Sequence, residues 1–277
     1  MKRKILVFTD LDGTLLDHYT YQTTDAEPTI AALHQHHIPI IPNSSKTFSE
    51  IMLIREQLNL DSPFIIENGA AVYIPINHFS IQPKDTELKD NFWVKSFCPD
   101  KDYWNNLLVE NAAEYKMAFE GFSEMTVDRV ASLTGLSVEN ATMAKERQYG
   151  EPLNWTGSEA TKTVFITKMK SLGANVLEGG RFLHISGHCD KGKAQNWLAE
   201  QYLQQAQQQG DELEVNTIAL GDGKNDIAML EAADTAIQIK SPVHDFPPLE
   251  RNEGVIQSEK AGPAGWAECL TTLLKLK

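Results

Sequence analysis

Apolar residues come in short unbroken runs that alternate with stretches of helical spacing. Ile5-Leu6-Val7-Phe8-Thr9 has no polar interruption, the pattern of a strand buried on both faces. Thr24-Asp25 then cap a helix that has Pro28 in its first turn and Ile30, Leu33 and His37 along one side. A short strand is predicted over 38–41, limited by Pro39 and Pro42, and an amphipathic helix through Ile51, Met52, Ile54 and Leu58. Phe64-Ile65-Ile66 and the return at 71–76 flank Glu67-Asn68-Gly69, a hairpin signal. Single alternation of strand and helix predicts a parallel α/β sheet.

From about Pro83 the rhythm changes. Helices are predicted over 100–115, 123–134, 137–148 and 161–172, with a strand over 117–122 and a hairpin at Gly179-Gly180. Elements here do not alternate singly, so this stretch reads as a separate α+β insertion. Alternation resumes at Asp190, with a helix over 191–205, a buried strand over 215–220, a helix over 227–232, a strand over 235–239 and a closing helix to Leu274. The expected organisation is an α/β core from residues 1–83 and 190–277, with the insertion spanning 84–189.

Composition narrows the class. With 277 residues, 42% of them hydrophobic, the chain has enough apolar side chains for a sizeable core. A formal charge of −13 argues against a nucleic-acid or anionic-membrane partner. An anionic substrate would therefore be held by locally placed Lys, Arg, amides or a metal. Cys98, Cys189 and Cys269 are far apart in sequence and form no C-x-x-C, so they read as reduced, incidental thiols of a cytoplasmic protein. The basic start, Lys2-Arg3-Lys4, precedes an apolar run that stops at Asp10, too early for a signal peptide.

The chemistry concentrates at element boundaries. Asp10 and Asp12 end the first apolar run, and two such close carboxylates repel unless a cation holds them. A calcium loop would need further oxygen ligands and a Glu at its twelfth position, whereas this segment continues into Leu15-Leu16. Ser44-Ser45-Lys46-Thr47 places hydroxyls and a Lys at a helix start, which suits an anion as well as ordinary capping. Lys191 opens the helix after Asp190, and Asp222 and Asp226 follow the second buried strand. Parallel strands end at one sheet edge, so these acids could converge on Mg2+, with Lys191 and Ser44 or Ser45 meeting a phosphoryl group. Each segment alone also reads as a turn, a cap or a solvated lysine. Their joint occurrence at four successive boundaries argues for phosphoryl-transfer equipment. His34, His36 and His37 crowd together without a carboxylate or cysteine at ligand spacing, and read as surface or packing residues.

D-L-D-G-T, S-S-K-T, D-K-G-K-A and G-D-G-K-N-D together resemble the four motifs of the haloacid dehalogenase superfamily of phosphatases. The insertion is similar to a type IIB cap. More narrowly, S-S-K-T, E-N-G-A, R-Q-Y-G-E-P, G-G-R-F-L-H and G-P-A-G-W resemble the mannosyl-3-phosphoglycerate phosphatase family, and the likeness spans nearly the whole chain. The resemblance implies a Rossmann-like core, an Mg2+ cofactor and a small sugar-phosphate substrate. Position by position it implies Asp10 as nucleophile, Asp12 as acid and base, and Ser44, Ser45 and Lys191 on phosphate. Asp10, Asp12 (through its backbone carbonyl), Asp222, Asn225 and Asp226 would hold the metal. Arg147, Glu151, Arg181 and His184 would meet the substrate. Asn43 departs from the small or apolar residue expected before the second motif.

Within the superfamily, a phosphatase or phosphomutase acting on another sugar phosphate is the neighbouring reading. A phospho-acceptor signalling domain is a third, disfavoured by the long insertion and by Asp12.

Overall fold

A computed structural model of the chain describes residues 2–179 and 181–276. Contacts divide the chain into two units, one of Met1–Ser45, Ile54–Lys95 and Asp190–Lys277 and the other of Lys46–Leu53 and Ser96–Cys189.

In the first unit, β1 (Lys2–Thr9) is followed by α1 (Glu27–Gln35), β2 (Ile40–Pro42) and α2 (Phe48–Gln57), whose last turn belongs here. β3 (Phe64–Ile66), β4 (Ala71–Pro75), β5 (Glu87–Lys89) and β6 (Phe92–Ser96) come next. The second unit holds α3 (Lys101–Asn111), β7 (Phe119–Gly121), α4 (Val127–Thr134), α5 (Val138–Lys145), β8 (Gly150–Trp155), α6 (Glu159–Ser171), β9 (Asn175–Gly179) and β10 (Phe182–Ser186). The chain returns through α7 (Lys191–Gln208), β11 (Leu213–Gly221), α8 (Ile227–Ala232), β12 (Thr235–Lys240), β13 (Val255–Ala261) and α9 (Gly262–Leu274).

Five strands make the central sheet in the order β13-β12-β11-β1-β2, every neighbouring pair parallel. β1 lies between β11 and β2, and Leu6, Val7 and Phe8 are fully buried, as an apolar run in a two-sided sheet requires. Because the strands are parallel, the residues that follow β1, β2 and β11 come off adjacent strands at one edge. That edge is where an open α/β sheet binds ligands.

A second sheet, β3-β4-β6-β5, carries the first unit through Lys95 rather than to the expected 83. The added hairpin turns at Asp90, whose φ is 51°, and Phe92 packs edge-on to Phe64 at 5.5 Å and Tyr73 at 5.8 Å. Residues 46–53, expected with the core, group instead with the second unit, where Thr47 Oγ1 donates to the Met143 carbonyl at 2.9 Å and Ser49 Oγ donates to Glu146.

The second unit is an antiparallel sheet, β7-β8-β10-β9. One face packs Leu153, Leu183 and Ile185 against Trp104 and Leu108 of α3 and Phe165 and Met169 of α6. Phe182, on the other face, packs with Phe122, Val130 and Ala141 around α4 and α5. β9 and β10 pair as the expected hairpin, with Gly179 opposite Phe182. Gly180, the second turn glycine, lies outside the described residues.

Candidate active site

β1 ends at Thr9, and the next residue, Asp10, is only 5% exposed, with its backbone N–H donating to the Leu220 carbonyl of β11 at 2.9 Å. Thr9 is held by the indole of Trp266, which donates to its hydroxyl at 3.0 Å. Asp222 follows β11, and Thr14 Oγ1 donates to its Oδ1 at 3.1 Å. Asp226 is wholly buried and accepts the Gly223 N–H at 2.9 Å. Asp10, Asp222 and Asp226 each offer a carboxylate oxygen within 4.8 Å of the others. Lys191, in the first turn of α7 and also fully buried, donates at 2.6 Å to both Asp10 and Asp226.

Charge in this cluster is unbalanced, with three buried carboxylates facing one ammonium. Burial alone would lower the lysine, but Asp10 and Asp226 outweigh it and hold Lys191 above its ordinary value. Burial, and then repulsion from Asp10, pushes Asp222 and Asp226 upward in spite of Lys191. Both directions have one origin, an excess of negative charge that a proton or a cation relieves. All-oxygen donors of this kind suit a hard divalent ion such as Mg2+, which keeps several waters. The donor set fits.

Ser44 follows β2 and is nearly fully buried. Its N–H donates to Ile65 at 3.1 Å and its carbonyl accepts from Asn68 N–H at 2.8 Å. Ser45, the next residue, is half-buried. Asn43, odd in the sequence, has a physical reason here. Its backbone N–H donates to the Thr9 carbonyl at 2.8 Å and its side-chain Nδ2 donates to the Lys191 carbonyl at 3.1 Å. It therefore joins β1, the Ser44 loop and the start of α7. Asp12 is half-buried and bridges to Leu16. Asn225 is exposed and its Nδ2 donates to Asn68 Oδ1 at 3.1 Å.

Two contributors escaped the sequence. Glu67-Asn68-Gly69 is a turn with φ of 47°, 59° and 91°, and a Cβ on Gly69 would fall 2.1 Å from the Asp190 carbonyl oxygen. The turn therefore belongs to the site and fits only because residue 69 has no side chain. E-N-G-A was visible as a motif, but its part in the site needs the fold. His244 Nε2 lies 3.4 Å from Asp222 Oδ2, and nothing around His244 in sequence signals this.

The insertion does not bring its four expected substrate residues to one point. Glu151 pairs across from Ile185 and His184 across from Pro152 in the β8–β10 register. Neighbouring strand residues face opposite ways, so Glu151 shares its face with Leu153 and Ile185 and His184 shares the other with Phe182. Glu151 is buried and accepts the Ser123 N–H at 2.8 Å and the Ser123 hydroxyl at 2.7 Å; burial pushes its carboxyl up. It also lines a cavity of about 320 Å³ with Leu108, Ala112 and Phe119. Burial, then the Arg147 charge, pushes His184 down to about 4. Arg181 is exposed and its Nη1 donates to the Leu133 carbonyl, near the end of α4, at 2.6 Å.

Residues 7–243 match the haloacid dehalogenase-like hydrolase family. The chain belongs to that family. Among curated relatives, the glucosyl-3-phosphoglycerate/mannosyl-3-phosphoglycerate phosphatase of Methanococcoides burtonii is 36% identical, covering 98% of this chain and 97% of the relative. The protein of the same name from Persephonella marina is 32% identical, covering 98% and 97%. A solved haloacid dehalogenase superfamily phosphatase from Bacteroides thetaiotaomicron superposes with a TM-score of 0.64 at 17% identity, covering 98% of this chain and 95% of that one. A hydrolase of this family with a parallel core sheet and an α+β insertion is the fold expected from the sequence. Among the described residues, no helix is long and apolar enough to cross a membrane.

Proposed function

We propose that this hydrolase is an Mg2+-dependent phosphatase of a glycosyl phosphoglycerate, releasing phosphate and, from mannosyl-3-phosphoglycerate, mannosylglycerate. One observation carries the reading. Lys191 touches Asp10 and Asp226 at 2.6 Å beside Asp222, in a chain 36% identical to a relative named for this activity.

Lys191 engages Asp10 Oδ1, which leaves Oδ2 as the attacking oxygen. A bond forms from that oxygen to phosphorus while the bond from phosphorus to the glyceryl oxygen breaks. Asp12 gives the departing oxygen its proton. It then takes a proton from the water that hydrolyses the aspartyl-phosphate, which frees phosphate and restores Asp10. Ser44, or Ser45 one position on, donates to the phosphoryl oxygens. Mg2+, when held by Asp10, Asp222 and Asp226 with support from Asn225 and the Asp12 carbonyl, supplies positive charge to the phosphoryl oxygens.

Core motifs of this kind meet phosphate alone, so selection among sugars falls to the insertion. Arg147 and His184 are the pair proposed there, because the Arg147 charge acts on the His184 imidazole and the two therefore lie close together. An Arg fork suits a glyceryl carboxylate.

Phosphate release should be fastest with mannosyl- or glucosyl-3-phosphoglycerate, slower with p-nitrophenyl phosphate, and lost in EDTA. A free sugar phosphate outrunning both glycosyl phosphoglycerates would overturn the substrate. Full activity in EDTA would overturn the metal.

A further inference from the structure

The long segment of the second unit runs from Ser96 to Cys189, so one cysteine lies two residues inside its start and another ends it. Far apart in sequence, their sulfurs meet at 3.6 Å. The approach is built into the backbone. A Cβ on Gly187 would fall 2.2 Å from the Cβ of Cys98, so the chain leaving β10 runs directly against residue 98. Only glycine permits that contact. The Cys189 N–H then donates to the Gly187 carbonyl at 3.0 Å, a tight bend that carries the second thiol back toward the first.

We propose that Cys98 and Cys189 are a reversible disulfide site whose oxidant is a small-molecule disulfide such as oxidised glutathione. A protein disulfide needs its sulfurs at about 2.05 Å, and from a 3.6 Å approach a modest side-chain rotation supplies the closure. Both residues are half-buried, so a small oxidant has access, whereas Cys269 is buried inside α9.

The chemistry balances. One cysteine thiolate attacks a sulfur of the small disulfide, forming a mixed disulfide and expelling one small thiolate. The second cysteine thiolate attacks the protein-side sulfur of that mixed disulfide, forming the Cys98–Cys189 bond and expelling the other. Two protein thiols lose two electrons and two protons, and the oxidant becomes two thiols. The bond closes residues 91 apart into a loop, so it constrains the unfolded form of almost the whole long segment. Oxidation should therefore raise the melting temperature of the insertion.

The test equilibrates the full chain over ratios of reduced to oxidised glutathione, blocks remaining thiols with N-ethylmaleimide, and reads intact mass and peptide maps. The expected product is two hydrogens lighter, takes up two fewer maleimides, and joins the Cys98 and Cys189 peptides. Dithiothreitol should reverse it, and melting should move upward by several degrees. Cys98→Ser and Cys189→Ser should each retain one glutathione on the remaining partner, since the resolving thiol is gone. The wild-type chain needs no variant to decide the matter. A persistent glutathione adduct without joined peptides, no oxidation at any ratio, a bond to Cys269, or a lower melting temperature after oxidation would each overturn the proposal.

Discussion

Lys191→Met is the sharpest test of how the acidic cluster is held. Methionine nearly matches the length of lysine, so the fully buried slot stays filled while the charge disappears. Two contacts at 2.6 Å vanish, to Asp10 and to Asp226, and three buried carboxylates face each other without an ammonium. Breaking a buried ion pair from one side costs about 3–5 kcal/mol, because the remaining charge is left uncompensated. For a chain of this size that is roughly 10 °C in Tm. Part of the loss is regained by protonating Asp226, whose carboxyl burial and Asp10 already push upward. Thermal melts in EDTA should show the loss, and added Mg2+ should stabilise the variant more than the parent, since the site is one charge more negative. Turnover of p-nitrophenyl phosphate should fall about 10²–10³-fold, the usual cost of losing a fixed positive donor beside a reacting centre. A variant as stable as the parent in EDTA would refute the electrostatic account. So would an equal Mg2+ shift in the two proteins.

Asp10→Asn should abolish phosphate release while stability holds or rises, because the amide keeps the shape and relieves the repulsion on Asp222 and Asp226. Activity above roughly one per cent of the parent would remove Asp10 from the nucleophile role. Acidification should destabilise the fold through His78 and His184, both pushed down to about 4, first by burial. Each folded value lies below the unfolded 6.5, so the stability it contributes is present above pH 6.5 and is lost as pH falls toward 4. Upward-shifted Asp222, Asp226 and Glu151 pull the other way, so a His184→Gln variant isolates the share of His184. Between pH 7 and pH 5 the unfolding free energy from urea titration should fall by about 2 kcal/mol more in the parent than in His184→Gln, and an equal fall in both would exclude it. Glu151→Ala should cost about 1–3 kcal/mol by stranding the Ser123 donors, with p-nitrophenyl phosphate turnover retained. Unchanged stability with selective loss of the glycosyl substrate would instead put Glu151 on the substrate.

The core was legible because its signals are local. An apolar run of five residues followed by Asp10 announces both a buried strand and the edge at which it ends. The convergence of Asp10, Asp222 and Asp226 followed from one further premise, that the strands are parallel, and the sheet obeys it. What escaped depended on partners distant in sequence. β8 begins Gly-Glu-Pro, residues poor in strand propensity, and is a strand because β10 and β7 pair on either side. β13, in which Gln257, Glu259, Lys260 and Ala261 are exposed and the one buried residue is polar Ser258, gave no apolar alternation to read, and exists as the edge beside β12. The insertion's substrate residues were inferred from motif likeness alone. Which face of a strand each side chain takes is set by register, and register separated Glu151 from His184. The cysteines show the same limit from the other side. Spacing marked Cys98 and Cys189 as unrelated, and it took a glycine two residues upstream of Cys189 to bring them together.

The strand order also sets a timetable for synthesis. β1 is the first element made and an interior strand of its sheet, next to the β2 edge, yet its longer pairing is with β11, whose residues come 211 positions later, Lys2 against Leu213. Its other neighbour, β2, contributes just three paired positions. At ribosomal speeds of about 5–20 residues per second, one edge of β1 waits roughly 10–40 s for its partner. Through that interval Leu6, Val7 and Phe8, buried in the finished protein, lie on a strand with an open hydrogen-bonding edge. The insertion, complete by Cys189, meanwhile has all four strands of its own sheet. Nascent chains stalled before residue 213 are therefore the species that most need a chaperone, and the acidic cluster is among the last parts of the molecule to exist.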